Sequence, residues 1–457
     1  MTVTTYDLLV VGGGAAGSTA ASTASEMHKH VALIEEDKLG GTCLNYGCDP
    51  TKTLLHIATI LHQSRHAQHY GLEIPPPAIN WEQVQTYVQE IITRIRGGSV
   101  TEAIGNLKQQ GIDVFHHNAT FISPNTLKVG DQTLQADKII IASGTQTSCP
   151  SVSGLKELGY ITNKEAVVLK QLPAKLAIIG GGPLGIEFAQ LLQRFGVEVV
   201  VLEHGEQILK KEEPEMIALL RKILSDEGIQ IETGVELQRA ERADNGKKRL
   251  VYQQAQQSRQ LEVDEILIAS GRIPQLDTLN PAAANLHITE KGITVDATLR
   301  TNNPHIWAAG DITGGPRFTH VASDQGRLAA QNAFAAIPKP FTDQPIPWVT
   351  YTDPPLAHAG QTEQQLQQAG TNYKVARLTF KENERAITNG RTRGLIKLLV
   401  GMDDTILGGH ILGDRADDLI AQIILAMRTG ITAQFLADTI LPYPTLSEVI
   451  RWTADRF

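Results

Sequence analysis

A glycine-rich pattern that occurs twice constrains the fold of this chain more than any other feature. Each copy runs from a short apolar segment through Gly-x-Gly-x-x-Gly and a second apolar segment to an acidic residue. This order is typical of the dinucleotide-binding strand–helix–strand unit, in which the glycines allow a tight turn, the approach of a pyrophosphate and close helix packing. The final acid accepts hydrogen bonds from a ribose. The first copy has Gly12, Gly14, Gly17 and Glu35, and the second has Gly180, Gly182, Gly185 and Glu203.

All four positions of the second copy follow those of the first by the same 168 residues. A further repeat ends each unit, because the apolar run before Gly144 matches the run before Gly271. The sequence therefore predicts an α/β protein with two Rossmann-like dinucleotide-binding domains, and two nucleotide sites in one chain suggest electron transfer between two cofactors. The alternative, that one domain has lost its ligand, is disfavoured by the intact pattern in both copies.

Composition narrows the class of protein. The chain has 457 residues and a formal net charge of −8, with 42% apolar and 20% charged residues. These values are typical of a soluble globular protein and argue against a nucleic-acid partner. No apolar run reaches the roughly 18–20 residues that a membrane span needs, so we expect no membrane association and a cytoplasmic location. Three cysteines are too few for a disulfide scaffold, so a close pair among them is more readily chemical than architectural.

Two of the cysteines, Cys43 and Cys48, lie five residues apart after the first unit. In an unbroken α-helix, residues at this spacing are separated by about 7.5 Å along the axis, too far for a disulfide. Gly47 and Pro50 instead favour an irregular turn at the cysteines, with a regular helix beginning near Pro50 whose positive end favours a thiolate. Two buried cysteines or half of a zinc site are the alternatives, and no second cysteine or histidine pair at ligand spacing follows.

The segment from Gly40 to Lys52, GGTCLNYGCDPTK, closely resembles the active-site segment of the class I flavin pyridine nucleotide-disulfide oxidoreductases. That family includes dihydrolipoamide dehydrogenase, glutathione reductase and mercuric reductase. The segment that ends in Gly310 and Asp311 also resembles the late flavin motif of the family. The resemblance covers the whole chain. It implies FAD and NADH as cofactors, with NADPH as an alternative to NADH, and a homodimer that shares its active sites.

The resemblance also implies an order of domains. An FAD-binding domain at residues 1–147 and 273–343 would be interrupted by an NAD(P)H-binding domain at residues 148–272. Residues 344–457 would form an α+β dimerisation domain, through which each subunit completes the active site of the other.

By the same resemblance, Cys48 is the sulfur nearest the flavin and forms a charge-transfer complex as a thiolate, while Cys43 is the outer sulfur that meets the substrate. Lys52 is expected near flavin N5 and paired with Glu187, where a fixed cation stabilises the negative charge of the reduced flavin. A solvated lysine and a surface acid are the alternatives. The remaining contacts implied are Glu35 at the adenosine ribose, Asp311 at the flavin side, and Thr42, Gly144, Gly271 and Gly310 at the cofactors.

The final segment departs from the disulfide-reducing members, which have His-Pro-Thr-x-x-Glu. Here Tyr443 replaces the histidine, while Glu448 keeps the place of the glutamate. A phenol, with an ordinary pKa of about 10, is a poor general base at neutral pH, whereas an imidazole near about 6.5 is well matched. We therefore expect poor reduction of lipoamide- or glutathione-type disulfides. The alternative is that Tyr443 is a core or interface aromatic.

The pattern Pro-Tyr-x-Thr from Pro442 to Thr445 resembles mercuric reductase. A soft metal ion needs thiolates to bind it and electrons to reduce it, with no thiol leaving group to protonate. Cys43 and Cys48 are accordingly expected to hold a metal ion transiently, as a substrate. The leading hypothesis is electron transfer from NADH through this pair to a metal ion or to another non-disulfide acceptor such as a quinone. The alternatives are a dihydrolipoamide dehydrogenase-like disulfide reductase and a flavin redox sensor or complex subunit.

Two smaller signals concern specificity and metals. Glu203 predicts a preference for NADH over NADPH, because its charge would meet a 2′-phosphate, although His204 follows it directly. His62, His66 and His69 have the i, i+4, i+7 spacing of one helix face, which suits either a transition metal or, more simply, a solvated surface.

Overall fold

A computed structural model describes residues 3–342 and 345–457 of the protein. The first part of the chain, up to residue 147, forms the following strands and helices. The strands are β1 (Val3–Tyr6), β2 (Leu8–Val11), β3 (Val31–Ile34), β4 (Ile112–Phe115), β5 (Ala119–Ser123), β6 (Thr126–Val129), β7 (Gln132–Ala136), β8 (Ile139–Ile141) and β9 (Thr145–Thr147). The helices are α1 (Ala15–Glu26), α2 (Gly41–Tyr46), α3 (Cys48–Arg65), α4 (Trp81–Arg96) and α5 (Val100–Gln109).

Apolar strands place the first nucleotide-binding unit in the centre of a parallel sheet. β2 and β3 are buried at every residue and pair in parallel with each other. Uninterrupted Val, Ile and Leu runs of this kind are typical of parallel strands that are covered on both faces. β8 and β4 extend this sheet on either side, and β1, β5, β6 and β7 form a separate four-stranded sheet.

The second nucleotide-binding unit repeats this design. Its strands are β10 (Lys175–Ile179), β11 (Glu198–Leu202), β12 (Gln230–Glu232), β13 (Glu236–Arg242), β14 (Lys248–Gln254), β15 (Gln257–Val263) and β16 (Glu265–Ile268). Its helices are α6 (Leu155–Leu158), α7 (Asn163–Ala166), α8 (Pro183–Arg194) and α9 (Pro214–Asp226). A parallel sheet has the order β12-β11-β10-β16, and β13, β14 and β15 form an antiparallel sheet beside it.

The chain then returns to the first sheet. The elements of this stretch are β17 (Arg272–Pro274), β18 (Ile288–Thr289), β19 (Gly292–Ile293), β20 (Ile306–Ala308) and α10 (Thr319–Phe334). β20 pairs in parallel with β8, so the five-stranded sheet has the order β20-β8-β2-β3-β4. α10 packs against α1, and Gly326 permits the close approach because a Cβ there would lie 2.1 Å from Ala16 O.

The last part of the chain is built on an antiparallel sheet. Its strands are β21 (Trp348–Thr350), β22 (Leu356–Gly360), β23 (Tyr373–Thr379), β24 (Leu395–Gly401) and β25 (Ile406–Leu412). Its helices are α11 (Glu363–Gln368), α12 (Glu384–Thr388), α13 (Ala416–Thr429), α14 (Ala433–Asp438) and α15 (Glu448–Ala454). The sheet has the order β21-β22-β25-β24-β23. Its apolar side chains share a core with α13 and α15, which completes an α+β unit.

These sheets confirm the predicted α/β class with two Rossmann-like units and a C-terminal α+β domain. The boundaries at 147/148 and 272/273 stay predictions. The boundary at residues 343 and 344 lies outside the described residues. Within the described ranges, no helix is long and apolar enough to cross a lipid bilayer.

Candidate active site

A cavity of about 1100 Å³ opens at the carboxyl ends of β2, β8 and β20 and extends to α13 of the C-terminal domain. Ligands of α/β proteins bind at this edge of a parallel sheet. The predicted residues that line the cavity are Gly12, Gly14, Glu35, Thr42, Cys43, Cys48, Lys52, Glu187, Gly144, Gly310 and Asp311. Those that do not line it are Gly17, Gly180, Gly182, Gly185, Glu203, Gly271, Tyr443 and Glu448.

The first glycine pattern has the geometry that a bound dinucleotide requires. Gly12 has a φ of +102°, and a Cβ there would lie 2.3 Å from Ala142 O. A Cβ at Gly17 would lie 1.7 Å from Gly12 O, so this glycine allows α1 to pack on β2. Gly14, by contrast, has only one atom within 4 Å of such a Cβ, at 3.9 Å, so its backbone is open to the cavity. The cradle therefore has room for a phosphate at the N-terminus of α1.

The acidic residue that ends the first pattern fixes the turn. Glu35 is buried, and its Oε2 accepts a hydrogen bond from Gly13 N at 2.6 Å, while its Oε1 accepts one from Asp37 N at 2.8 Å. Burial outweighs these two hydrogen bonds and raises the pKa of Glu35 above its ordinary value. The residues of this cradle fit the ADP part of FAD.

The second pattern has the same geometry outside the cavity. A Cβ at Gly185 would lie 2.0 Å from Gly180 O, whereas one at Gly182 would meet no atom within 4 Å. Glu203 accepts hydrogen bonds from the backbone of both flanking loops, at Oε2 from Gly181 N (2.5 Å) and at Oε1 from Gly205 N (2.7 Å). The second unit is thus equally open at its phosphate position.

The cysteines lie at the junction of two helices, which differs from the sequence prediction. Cys43 lies inside α2, α3 begins at Cys48 instead of near Pro50, and only Gly47 interrupts the helices. This break is sharp because Gly47 has φ −129° and ψ −110°, while Pro50 is tolerated in the first turn of a helix, where its missing N–H costs nothing. The positive end of α3 therefore lies at Cys48 itself.

The two sulfurs differ in acidity. Both are free thiols in the structure. A hydrogen bond from Cys43 lowers the pKa of Cys48 to about 6, outweighing the effect of burial, and Thr319 and Lys52 act in the same direction. The same hydrogen bond and burial raise the pKa of Cys43. Thr319 Oγ1 lies 3.5 Å from Cys48 Sγ. The arrangement favours a thiolate at Cys48 and a thiol at Cys43.

An ion pair between a half-buried lysine and a buried glutamate lies beside the cysteines. Lys52 Nζ is 2.7 Å from Glu187 Oε2, and it also lies 4.5 Å from the centre of the Tyr351 ring. Burial disfavours the charge of Lys52, but the Glu187 carboxylate outweighs it and raises the pKa of Lys52 above its ordinary value. Glu187 Oε1 accepts a hydrogen bond from Tyr351 N at 2.8 Å. Both oxygens of the acid are therefore occupied, and the cation is fixed at the cavity wall.

Asp311 and its neighbours form another part of the cavity wall. Asp311 Oδ2 accepts a hydrogen bond from Thr145 Oγ1 at 3.0 Å and lies 4.0 Å from Arg272 Nε. Gly310 has little space, because a Cβ there would lie 3.2 Å from the Ala16 Cβ. The first pattern, the cysteines and this motif thus meet around one cavity, as the sequence predicted for an FAD site.

Tyr443 and Glu448 lie apart from the cavity of their own chain. The Tyr443 residue is 70% exposed. Glu448 is buried and accepts a hydrogen bond at Oε2 from Thr445 N at 3.0 Å. This carboxylate therefore holds the turn that presents Tyr443. Ile440 precedes Tyr443 by three residues and is 90% exposed, so this segment presents apolar surface to solvent.

The predicted histidine face is interrupted. α3 ends at Arg65, and His69 lies in the separate 3₁₀-helix Ala67–Tyr70. The prediction that the three histidines share one face of a continuous helix is therefore wrong. Only His62 and His66 remain adjacent, with ring centroids 4.3 Å apart. Among the described residues, these histidines do not form a group of three metal-ligating side chains.

Sequence reasoning missed Thr319 and Tyr351, which both contact the reactive groups. Thr319 lies 271 positions from its partner Cys48, and Tyr351 lies 164 positions from its partner Glu187. Neither position carries a local pattern.

Two family models match this chain. The model described as pyridine nucleotide-disulphide oxidoreductase matches residues 6–326, and the dimerisation domain of the same family matches residues 346–454. The chain belongs to the pyridine nucleotide-disulphide oxidoreductase family. Members of this family are flavoprotein oxidoreductases that use FAD and NAD(P)H. The prediction of an FAD enzyme with an NAD(P)H site and a dimerisation domain is therefore confirmed.

Individual relatives fall into several activities. The chain is 33% identical to a mercuric reductase of Staphylococcus aureus over 455 residues, which cover 99% of this chain and 82% of that reductase. It is 32% identical to a dihydrolipoyl dehydrogenase of Bacillus subtilis (strain 168), over 97% of this chain and 96% of that enzyme. A solved structure of the Cu(II) complex of the HOCl-induced flavoprotein disulfide reductase RclA from Escherichia coli matches with a TM-score of 0.89 at 30% identity, covering 100% of both chains.

Proposed function

We propose that this enzyme transfers electrons from NADH through the Cys43 and Cys48 pair to a thiolate-binding metal ion, such as Hg(II) or Cu(II). The metal ion is the substrate and is released after reduction. The observation that carries the proposal is Tyr443, a phenol at the position where disulfide-reducing relatives place their imidazole base. The overall reaction converts NADH to NAD⁺ and H⁺, and its two electrons reduce one Hg(II) to Hg(0) or two Cu(II) to Cu(I).

The cofactor-binding residues have separate tasks in this proposal. Gly12, Gly14 and Glu35 would hold the ADP part of FAD, and Asp311 would hold the riboflavin part. FAD bound there would supply the acceptor for a hydride from NADH and a carrier that passes electrons on singly or in pairs. Lys52, oriented by Glu187, presents a fixed positive charge at the cavity wall, and a charge that is already in place needs no reorganisation to stabilise a developing negative charge.

The cysteine pair suits a soft metal ion. Cys48 carries a thiolate near neutral pH because its pKa is lowered to about 6. Cys43 loses its proton when a metal ion replaces that proton between the sulfurs, as thiolates are the ligands that soft ions prefer. Reduction of a bound metal ion leaves no thiolate leaving group that must be protonated. A disulfide substrate, in contrast, is converted to two thiolates in each turnover, and its release as a dithiol or as two thiols needs a proton donor.

The turn that carries Tyr443 supports a role at a neighbouring subunit. Tyr443 is exposed and lies away from the cavity of its own chain, within the region matched by the dimerisation domain. We propose that a homodimer brings this turn to the cysteines of the partner subunit. The phenol then offers a hydroxyl ligand or donor near the bound ion, but not the imidazole base of the disulfide-reducing relatives.

Two of the relatives favour a metal acceptor over a quinone. The mercuric reductases match almost the entire length of the chain, and the RclA structure is described as a Cu(II) complex. The dihydrolipoyl dehydrogenases match at similar identity, so overall similarity does not select the acceptor. The local chemistry at Tyr443 makes that selection in our proposal.

The test is anaerobic NADH oxidation by the FAD-loaded enzyme with Hg(II), Cu(II), a quinone or lipoamide as acceptor. We expect kcat/KM for one of the metal ions to exceed that for lipoamide by at least about 10²-fold, the usual contribution of a general acid–base. The Cys43→Ser, Cys48→Ser double variant is the control and should lose metal reduction. Faster reduction of lipoamide than of either metal would reject the proposal, and flavin reduction without turnover on any acceptor would instead favour a sensor.

A further inference from the structure

A second group of metal-ligating side chains lies between the NAD(P)H-binding unit and the C-terminal sheet. His358 on β22 and His410 on β25 are directly opposite each other in the antiparallel ladder. Glu212, just before α9, packs against them from the other unit. One ligand atom from each of the three residues lies within 4.8 Å of the others, and the three side chains are at most 3% exposed.

Hydrogen bonds fix which nitrogen of each ring carries a proton. His358 Nε2 is 2.9 Å from Gly360 O, and His410 Nε2 is 3.0 Å from Gln361 O. A carbonyl oxygen only accepts hydrogen bonds, so both Nε2 atoms carry a proton. In a neutral imidazole, the lone pair then lies on Nδ1. A backbone carbonyl that accepts from the distal nitrogen is also the arrangement commonly found for metal-ligating histidines.

In the described part of the chain, neither Nδ1 atom accepts a hydrogen bond from a donor group. His358 Nδ1 faces Glu212 Oε2 at 3.2 Å, so a lone pair meets a carboxylate. His410 Nδ1 is fully buried and has no hydrogen-bond partner among the described residues. A second proton on His358 would satisfy the first contact only. A proton on His410 Nδ1 would be buried without an acceptor, which is unfavourable.

The carboxylate is oriented from outside the group. Trp348 Nε1 donates a hydrogen bond to Glu212 Oε1, while Oε2 faces His358 Nδ1. An indole N–H only donates, so Trp348 acts as an outer partner that holds a ligating carboxylate in place. The Trp348 ring also stacks on His358, with centroids 3.6 Å apart.

In an adjacent group of carboxylates, a lysine of the protein itself balances the negative charge. Lys397 Nζ lies 2.7 Å from Glu213, 2.6 Å from Glu215 and 2.6 Å from Glu363, so a built-in cation neutralises that group. Within residues 3–342 and 345–457, no lysine or arginine forms such an ion pair with Glu212. The charge and the lone pairs of the histidine group are therefore left for an external cation.

We propose that Glu212, His358 and His410 bind one divalent transition-metal ion, with Zn²⁺ the best match. Two imidazoles and a carboxylate are the ligand set of many zinc sites, and they differ from the all-oxygen sets that Mg²⁺ and Ca²⁺ prefer. The site is separate from the cysteine pair and independent of the electron acceptor. Because its ligands come from the NAD(P)H-binding unit and from the C-terminal sheet, the ion joins these two parts of the chain.

The test uses the FAD-loaded enzyme with Cys43→Ser and Cys48→Ser, so that the cysteine pair takes up no metal. After incubation with Zn²⁺ and dialysis, we expect one zinc per FAD by elemental analysis. We also expect a higher thermal unfolding temperature with Zn²⁺ than without it, because the ion binds the folded state. Glu212→Gln keeps the size of the side chain and the acceptor for Trp348, and it should lower zinc to well below one per FAD and abolish the shift.

His62→Gln with His66→Gln is the matched control, because it removes one half-buried and one exposed imidazole outside the proposed site and should leave the zinc content unchanged. Crystals of the parent protein grown with Zn²⁺ supply a measurement that does not depend on the folding of a buried variant. An anomalous peak at the zinc edge between Glu212, His358 and His410 supports the site. No peak there, or equal zinc content in the parent and Glu212→Gln, overturns it.

Discussion

Lys52 Nζ and Glu187 Oε2 lie 2.7 Å apart, and this pair joins the helix that begins at Cys48 to the helix of the second glycine pattern. The two residues are 135 positions apart in sequence. Glu187 is buried, and its other oxygen, Oε1, accepts a hydrogen bond from the backbone N–H of Tyr351. The pair therefore links the FAD site, the NAD(P)H-binding unit and the C-terminal domain at one cavity.

We predict that this cation speeds reduction of the flavin by NADH. Lys52→Met removes the charge and should slow flavin reduction in stopped-flow absorbance by about 10²-fold, the usual cost of losing one fixed electrostatic contact. Glu187→Gln should produce a smaller loss. Lys222→Met is the control, because Lys222 forms an exposed i,i+4 pair with Asp226. An unchanged rate in Lys52→Met would show that the charge of Lys52 does not assist flavin reduction.

The second prediction concerns the Cys48 thiolate. Because its pKa is lowered to about 6, the thiolate is present above that pH and is lost as the pH falls through it. In the enzyme reduced by two electrons, a long-wavelength charge-transfer absorbance should titrate with a midpoint near pH 6. Cys48→Ser should abolish the band. Cys43→Ala, in which no disulfide can form, should show the band with oxidised flavin and with a midpoint at higher pH, because alanine cannot replace the hydrogen bond from Cys43. A midpoint that stays in place would show that this hydrogen bond does not set the pKa.

The third prediction is a preference for NADH. Both oxygens of Glu203 accept backbone hydrogen bonds, so the charge is held at the ribose position, and His204 is engaged by Val235 O at 3.2 Å. We expect kcat/KM for NADH to exceed that for NADPH by at least about tenfold, or about 1.4 kcal/mol. Glu203→Gln should narrow the ratio mainly by improving NADPH. Equal use of both nucleotides by the natural enzyme would reject this role of Glu203.

The fourth prediction tests the interface. Ile440 is 90% exposed beside Tyr443, and a homodimer would cover it. Ile440→Asp places a charge on this surface and should weaken the dimer by at least about tenfold in sedimentation, with a parallel loss of activity per chain. Ile337→Asp changes an isoleucine that is 84% exposed in another part of the chain, and it should leave the dimer intact. Equal dimer strength in both variants would place the interface elsewhere.

Patterns that depend on local sequence predicted much of the fold. The apolar runs at Leu8–Val11 and Val31–Ile34 coincide with β2 and β3, because a buried parallel strand needs an unbroken apolar segment. Gly12 has the positive φ that suits the predicted tight turn, and Gly17 lies where the predicted close packing of α1 on β2 leaves no room for a Cβ. Here the requirement lies within a few neighbouring residues, so the sequence shows it directly.

Features that depend on distant contacts escaped prediction. The helix at Cys48 begins two residues before Pro50, because one glycine is enough to separate two helices. Thr319 and Tyr351 contact Cys48 and Glu187 only in the folded chain, because 271 and 164 positions separate the partners in sequence. Likewise, the pairing of His358 with His410 is set by the register of β22 and β25, which no local spacing reveals.

The most direct test of our account is the Tyr443→His variant, assayed anaerobically with lipoamide and with the better of Hg(II) and Cu(II). An imidazole at this position supplies an acid–base of suitable pKa, so lipoamide reduction should rise, by up to about 10²–10⁴-fold if it is fully positioned. Reduction of the metal ion should fall or stay level, since it needs no such base. Rapid lipoamide reduction by the natural enzyme, or a Tyr443→His variant that changes neither activity, would contradict the account.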